Sequence, residues 1–234
     1  MQAPRAIVFD LDGTLIDSRG DIVAAANHAL VRSGRDALLA ATITKLVGDG
    51  ARTLLARASR LDEASTSALD ALVDHYTEYY CAHPLDFTRW VEGALEALEE
   101  IRARGDVKIA LCTNKPRRIT QAVIDGLDAN RYFDATWAGG DSPDKKPSPG
   151  PLRVLGKLLG LSPSEFVMVG DGPQDVLAGR AAGCRTVGVV SHFLGSTRLL
   201  EARPDIVLES MAELPSVVRR WCDATARLAA HRDP

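Results

Sequence analysis

The sequence lacks most of the features that mark a specialised class. Its 234 residues include only 4 cysteines, Cys81, Cys112, Cys184 and Cys222, and none forms a C-x-x-C pair. This excludes a thiolate zinc site and a dense disulfide framework, and scattered thiols point to a reducing compartment. No stretch approaches the ~18 uninterrupted apolar residues of a membrane span. The first apolar run, Ala6–Phe9, stops at Asp10, too soon for the apolar part of a secretory signal. The expectation is a cytoplasmic protein with no membrane contact. There is no excess of either charge, with 28 Lys+Arg against 31 Asp+Glu for a net of -3, so no basic field for nucleic acid exists. The five histidines, His28, His75, His83, His192 and His231, show no ligand spacing. Three templates are absent as well: the phosphate-loop G-x-x-x-x-G-K-[ST], H-E-x-x-H and G-x-S-x-G. Gly48-Asp49-Gly50 lacks the third glycine and the preceding strand of a dinucleotide fingerprint.

What is present is a globular core, 46% hydrophobic. Ala6–Phe9, Lys108–Cys112, Phe166–Val169, Thr186–Val190 and Asp205–Leu208 are short, unalternating apolar runs, as expected of parallel strands covered on both faces. Helical spacing fills the gaps: Gly93–Arg104 stops at Gly105, and Pro149–Leu161 and Pro173–Ala182 each open on proline. Residues 17–88 read as helices alone, over 17–30, 51–59 and 67–80, with no strand. The predicted fold is α/β, a doubly wound, mostly parallel, Rossmann-like sheet over 1–16 and 89–234, with a small helical cap inserted at 17–88. The basic tail (Arg219, Arg220, Arg227, Arg232) reads as a solvated helix face.

Three strands end in polar clusters: Asp10-Leu-Asp12-Gly13-Thr14, Thr113-Asn114-Lys115-Pro116 and Gly170-Asp171-Gly172-Pro173-Gln174-Asp175. In an open parallel sheet the strand C-termini share an edge where ligands bind, so these clusters converge. Asp10, Asp12, Asp171 and Asp175 would repel one another in such a crevice without a cation. With only oxygen ligands on offer, Mg²⁺ suits the set best. Asp175, near a helix start, equally suits a structural role against the helix dipole. Thr113 offers a hydroxyl at a helix start, and Lys146, which alone reads as a surface lysine, lies just ahead of another helix. Together these groups describe a phosphoryl site.

The ordered set Asp10-Leu-Asp12-Gly13-Thr14-Leu15, Thr113-Asn114, Lys146-Pro147 and Gly170-Asp171 with Asp175 resembles the four motifs of the haloacid dehalogenase-like superfamily. Val47-Gly48-Asp49-Gly50-Ala51, Cys112–Pro116 and Phe133-Asp134 through Lys146-Pro147 are most similar to its phosphoglycolate phosphatase group. Two departures bear on substrate: Thr88–Glu92 lacks the usual proline before Gly93, and Gly172-Pro173-Gln174 stands where a serine-containing segment is common. The resemblance implies a Mg²⁺-dependent phosphatase acting on a small phosphorylated metabolite, 2-phosphoglycolate first. Other sugar-phosphate or nucleotide phosphatases and a phosphomutase stay open as alternatives, and a non-catalytic phosphate sensor would require a decayed motif.

The resemblance also implies roles. Asp10 is the nucleophile and Asp12 the acid and base; Thr113, Asn114 and Lys146 bind phosphate. The metal falls to Asp10, the Asp12 carbonyl and Asp171, with Asp175 behind them or reaching through water. Asp12 argues against a dehalogenase, whose halide needs no acid, and against the transport ATPases, which carry Thr there. Arg52, just after the glycine loop, is the candidate for a substrate carboxylate, although alone it reads as an exposed helical arginine. A monomer or homodimer is expected.

Overall fold

A computed structural model of the chain describes residues 3–64, 66–191 and 196–230, which leaves His192, His231 and Arg232 outside the described residues. Six strands form one parallel sheet: β1 (Ala6–Phe9), β4 (Lys108–Pro116), β5 (Ala135–Gly139), β6 (Phe166–Gly170), β7 (Arg185–Val189) and β8 (Ile206–Leu208). β2 (Ile16–Asp17) and β3 (Arg89–Trp90) pair separately and antiparallel. The sheet order is β5-β4-β1-β6-β7-β8, so the chain winds outward from β1 through β4 to β5, then crosses back to β6 on the other side of β1. The reversal beside β1 makes the ends of β1, β4 and β6 the natural crevice.

Alternation along β1 assigns its side chains to two cores. Ile7 and Phe9 join the larger one with Leu98, Ile101, Ile119 and Val123, from helices α5 (Ala94–Arg104) and α6 (Arg117–Gly126). Ala6 and Val8 face Leu152, Leu155 and Ala178, from α7 (Gly150–Leu159) and α8 (Pro173–Ala182). This is the α/β doubly wound architecture expected. Two further helices, α9 (Ser196–Glu201) and α10 (Leu214–Ala230), complete the chain. α9 and β5 have no counterpart among the sequence expectations, whereas α6 follows the helix start expected beside Thr113 and α10 carries Arg219 and Arg220 of the basic tail. β5 reads Ala-Thr-Trp-Ala-Gly, with one large apolar residue, and lies at the sheet edge where pairing to β4 alone is enough.

Four helices lie between β2 and β3: α1 (Arg19–Arg32), α2 (Ala40–Thr44), α3 (Ala51–Ser59) and α4 (Thr66–Ala82). The chain leaves the sheet through β2 and returns through β3, with Ile16 opposite Trp90 and Asp17 opposite Arg89. Asp21, in the first turn of α1 and 2% exposed, ties this crossing together. Its carboxylate accepts from the Phe87 N–H at 3.1 Å, the Thr88 N–H at 2.8 Å and the Thr88 hydroxyl at 2.6 Å.

Replacing Asp21 with alanine strands buried donors on the returning segment. We expect Asp21→Ala to lower stability by about 2–4 kcal/mol in urea unfolding; a loss below ~0.5 kcal/mol would show that β2 and β3 hold the crossing without it.

Candidate active site

Asp10 is the first residue past β1, and its N–H donates to Val169 O on β6 at 2.9 Å, extending the sheet to the turn. Gly13 closes that turn at φ +89, and a Cβ there would lie 2.3 Å from Asp171 Oδ2. Glycine is therefore required both by the backbone and by the carboxylate behind it. At the end of β6, a Cβ on Gly170 would fall 2.2 Å from Asp175 Oδ2. Asp175 in turn accepts from the Gly172 N–H at 3.1 Å, holding the first turn of α8 closed.

β4 delivers the opposing groups. Its register against β5 slips between Thr113 and Pro116, and this irregularity re-aims the side chains of Asn114 and Lys115. A Cβ on Gly139 would come within 2.5 Å of Asn114 O, so only glycine lets β5 pass the slip so closely.

The result is one cavity lined by Asp10, Asp12, Thr113, Lys146, Asp171 and Asp175, with Lys115 and Asn114 beside them. The loop Val47–Gly50, Leu54, Tyr76 and Ile22 cover it from the inserted helices. Its free space is small, about 50 Å³.

Two lysines pair with three of the acids. Lys146 Nζ meets Asp10 Oδ1 at 2.8 Å and Asp175 Oδ1 at 2.6 Å. Burial works against the charge of Lys146, but Asp10 and Asp175 outweigh it and hold its pKa above the ordinary lysine value. Lys115 Nζ meets Asp12 Oδ1 at 2.9 Å and donates to the Tyr80 hydroxyl at 2.8 Å. Ser18 Oγ donates to the same Asp12 oxygen at 2.5 Å.

Asp171 differs. Among the described residues it has no cationic partner, only the hydroxyls of Ser191 at 2.6 Å and Thr14 at 3.2 Å. Burial, with Asp10 and Asp175 adding repulsion, pushes it up to about 8. Burial likewise lifts Asp10 to about 7 against the pull of Lys146, with Asp175 and Asp12 adding to the rise. One oxygen each from Asp10, Asp171 and Asp175 lies within 4.8 Å of the others. An all-oxygen set in which Asp171 has no cationic partner among the described residues fits a hard divalent cation.

Two sequence expectations meet a different geometry. Arg52 does not line the cavity: its guanidinium pairs with Asp70 at 2.5 Å on the outer face, and its side chain is 41% exposed. The cause is helical phase, because Ala51, Leu54 and Leu55 take the buried side of α3 and Arg52 falls off it. Asn114 does line the cavity, but its carboxamide is engaged with backbone. Nδ2 donates to Gly48 O at 3.0 Å and Lys146 O at 2.9 Å, and Oδ1 accepts from Lys146 N at 3.0 Å. Its side chain thus clasps the covering loop to the Lys146 loop.

Sequence reasoning did not single out Lys115, Ser18, Tyr80 or the clasp residues. Lys145 Nζ donates to Asp49 O at 2.8 Å and Thr53 Oγ1 at 2.9 Å, and Gln174 Nε2 donates to Asp49 Oδ1 at 2.8 Å. Lys115 lies within Thr113-Asn114-Lys115-Pro116, and its charge at the end of β4 is the signal the sequence offers.

The family model for haloacid dehalogenase-like hydrolases matches residues 4–183. The chain belongs to this family. Within it the chain is 34% identical to a phosphoglycolate phosphatase of Pseudomonas fluorescens (strain Pf0-1), over 91% of this chain and 79% of that one. It is 35% identical to a phosphoglycolate phosphatase of Neisseria meningitidis serogroup A, over 90% and 92% of the two chains. Among solved structures, a predicted phosphoglycolate phosphatase from Haemophilus somnus 129PT superposes with a TM-score of 0.83 at 25% identity, covering 93% and 99% of the chains. CbbY from Rhodobacter sphaeroides in complex with phosphate superposes with a TM-score of 0.77 at 25% identity, covering 90% and 96%. This haloacid dehalogenase-like hydrolase is a phosphatase of the phosphoglycolate phosphatase-like group, a phosphoric monoester hydrolase. No helix among the described residues is long and apolar enough to cross a membrane.

The raised acids make stability depend on pH. Carboxyls at about 7 and about 8 in the folded state, against ~3.9 unfolded, bind more protons when folded, so folding weakens as pH rises through that interval. Without divalent cations, thermal unfolding should shift to lower Tm between pH 6 and pH 8. Added Mg²⁺ should raise Tm more at pH 8 than at pH 6, since it displaces protons from its ligands. Equal Mg²⁺ shifts at both pH values would contradict the assignment.

Proposed function

We propose that the chain hydrolyses 2-phosphoglycolate, or a phosphomonoester of similar size, by covalent transfer of the phosphoryl group to Asp10. The observation that carries this reading is that Asp10 and Asp12 face one small cavity, each paired to a different lysine, Lys146 being shared with Asp175. The substrate is suggested by the names of the relatives and by the small free space. We further propose that residues 17–88 act as a cap over residues 1–16 and 89–234, and that the protein works in a reducing, cytoplasmic compartment. Its four cysteines are all free, which agrees with that compartment.

The Asp10 carboxylate attacks phosphorus, forming an acyl-phosphate bond as the ester P–O bond breaks. Asp12 gives its proton to the departing alkoxide oxygen. Asp12 then takes a proton from water as that water attacks phosphorus, releasing phosphate and restoring the Asp10 carboxylate. Lys146 and the Thr113 hydroxyl hold phosphoryl oxygens, and Ser18 and Lys115 fix the Asp12 carboxylate. Asp10, Asp171 and the Asp12 carbonyl would hold Mg²⁺, with Asp175 behind them; when bound, it supplies positive charge to the phosphoryl oxygens and keeps the acids ionised. The covering loop excludes bulk water from the acyl phosphate.

The test is phosphate release from a panel of 2-phosphoglycolate, sugar phosphates, nucleoside monophosphates and pyrophosphate. We expect Mg²⁺-dependent release with the highest kcat/KM on 2-phosphoglycolate, and a loss of at least ~10³-fold in Asp10→Asn, which removes the covalent route. Asp12→Asn should lose ~10²–10⁴-fold. Activity that survives Asp10→Asn would sink the covalent mechanism.

A further inference from the structure

With Arg52 on the outer face, the cavity must recognise a substrate carboxylate by another group. The polar candidates lining it are few. Lys146 is held between Asp10 and Asp175, at the phosphoryl end. Asn114 is engaged with Gly48 O and the Lys146 backbone, and Gln174 with Asp49. Thr113 goes with the phosphoryl end, Tyr76 offers only a neutral hydroxyl, and of the cationic side chains Lys115 remains, its side chain 2% exposed.

We propose that Lys115, held between the Asp12 carboxylate and the Tyr80 hydroxyl, is the residue that binds the carboxylate of the leaving group and selects carboxylated phosphomonoesters. The inference rests on the reading just given, that Asp12 serves the leaving oxygen of a small substrate.

Geometry supports it. Asp12 must come within about 2.6–3.2 Å of the leaving oxygen to protonate it. In glycolate that oxygen and the carboxylate are separated by a single carbon, so the carboxylate lies within a few ångströms of Asp12. Lys115 Nζ stands 2.9 Å from Asp12 Oδ1 and 3.2 Å from Oδ2, on the cavity wall. One N–H shared between the two Asp12 oxygens and one given to Tyr80 leave a third donor of the ammonium for a ligand.

The surroundings make that donor count. Nζ also lies 4.3 Å from the centre of the Tyr80 ring, and Tyr76 packs edge-on against Tyr80 with centroids 5.7 Å apart. Both tyrosines come from α4, so the inserted helices build a low-dielectric wall behind the cation. There an ionic contact is worth more than in water. A leaving group with no acceptor atom, such as the ethyl group of ethyl phosphate, would gain nothing from Lys115.

The experiment compares kcat/KM for 2-phosphoglycolate and for ethyl phosphate, which carries the same ester without the carboxylate, with Mg²⁺ present. Their ratio cancels any common effect on Asp12. We expect the wild type to favour 2-phosphoglycolate, and Lys115→Met to reduce the ratio by about 10-fold or more, the worth of one charge-assisted hydrogen bond. Should Lys115→Met fail to fold, Tyr80→Phe, which removes the hydroxyl aiming the ammonium, should reduce the ratio by at least ~3-fold. A wild-type preference that persists unchanged in the folded variant overturns the inference and leaves Lys115 only the orientation of Asp12. A wild type that hydrolyses both esters without preference overturns the inference and the choice of substrate together, while the phosphatase reading stands. Failure to hydrolyse any ester overturns the reading beneath it.

Discussion

Asp10, Asp12, Asp171 and Asp175 meet at the carboxyl edge of a parallel sheet, in a cavity where burial penalises every uncompensated charge. Much of the surrounding structure follows from accommodating them. The winding order sets β1 between β4 and β6, so the acids after β1 and β6 face the donors at the end of β4. Gly13 and Gly170 are glycines because the carboxylates of Asp171 and Asp175 occupy the space a side chain would need. Lys146 answers Asp10 and Asp175, Lys115 answers Asp12, and Asp171 keeps only hydroxyl partners among the described residues. The imbalance fits an all-oxygen cation site, in which a bound ion would supply the counter-charge that Asp171 lacks.

Consecutive lysines tie the cover of the cavity to its chemistry. Lys145 reaches the covering loop at Asp49 O and α3 at Thr53, while the next residue, Lys146, reaches Asp10. Asn114 bonds to Lys146 on both sides of its backbone and to Gly48 of the same loop. Displacing the loop therefore disturbs the support of the lysine beside Asp10. A network in which each member holds two others behaves as a unit. The contacts that hold the covering loop are thus the same ones that hold the Lys146 loop in place.

How much of this was legible in the sequence depended on how local the determinants were. Asp10 and Asp12 could be read because a buried apolar run ends in acids followed by a glycine. Asp171 and Asp175 could be read because Pro173 marks a helix start. Arg52 could not be judged from its distance to the glycine loop, because rotation about α3 decides which side chain faces inward, and Ala51, Leu54 and Leu55 take that side. Asn114 and Lys115 were obscured by the register slip after Thr113, which breaks the alternation that would tell inward from outward residues. β5 was missed because an edge strand needs only one partner and Trp137 supplies most of its burial. The Lys115–Tyr80 contact joins positions from two separate parts of the fold, and no pattern in a single chain announces it.

In the proposed mechanism the two lysines divide the substrate between them. Lys146 serves the end common to all phosphomonoesters, so its contacts carry no information about which ester is bound. Lys115 stands beside the acid that must reach the leaving oxygen, so whatever it recognises is recognised at the reacting bond. A carboxylate held there draws the leaving oxygen toward Asp12, and binding energy gained from the leaving group is converted into alignment for its departure. Lysine suits this post better than arginine: a compact ammonium can share its donors among a carboxylate, a phenol and a ligand, whereas a planar fork would commit two of them to Asp12. The inserted helices contribute selectivity through Tyr80 and Tyr76, by setting the position and the dielectric surroundings of a cation that the sheet itself supplies.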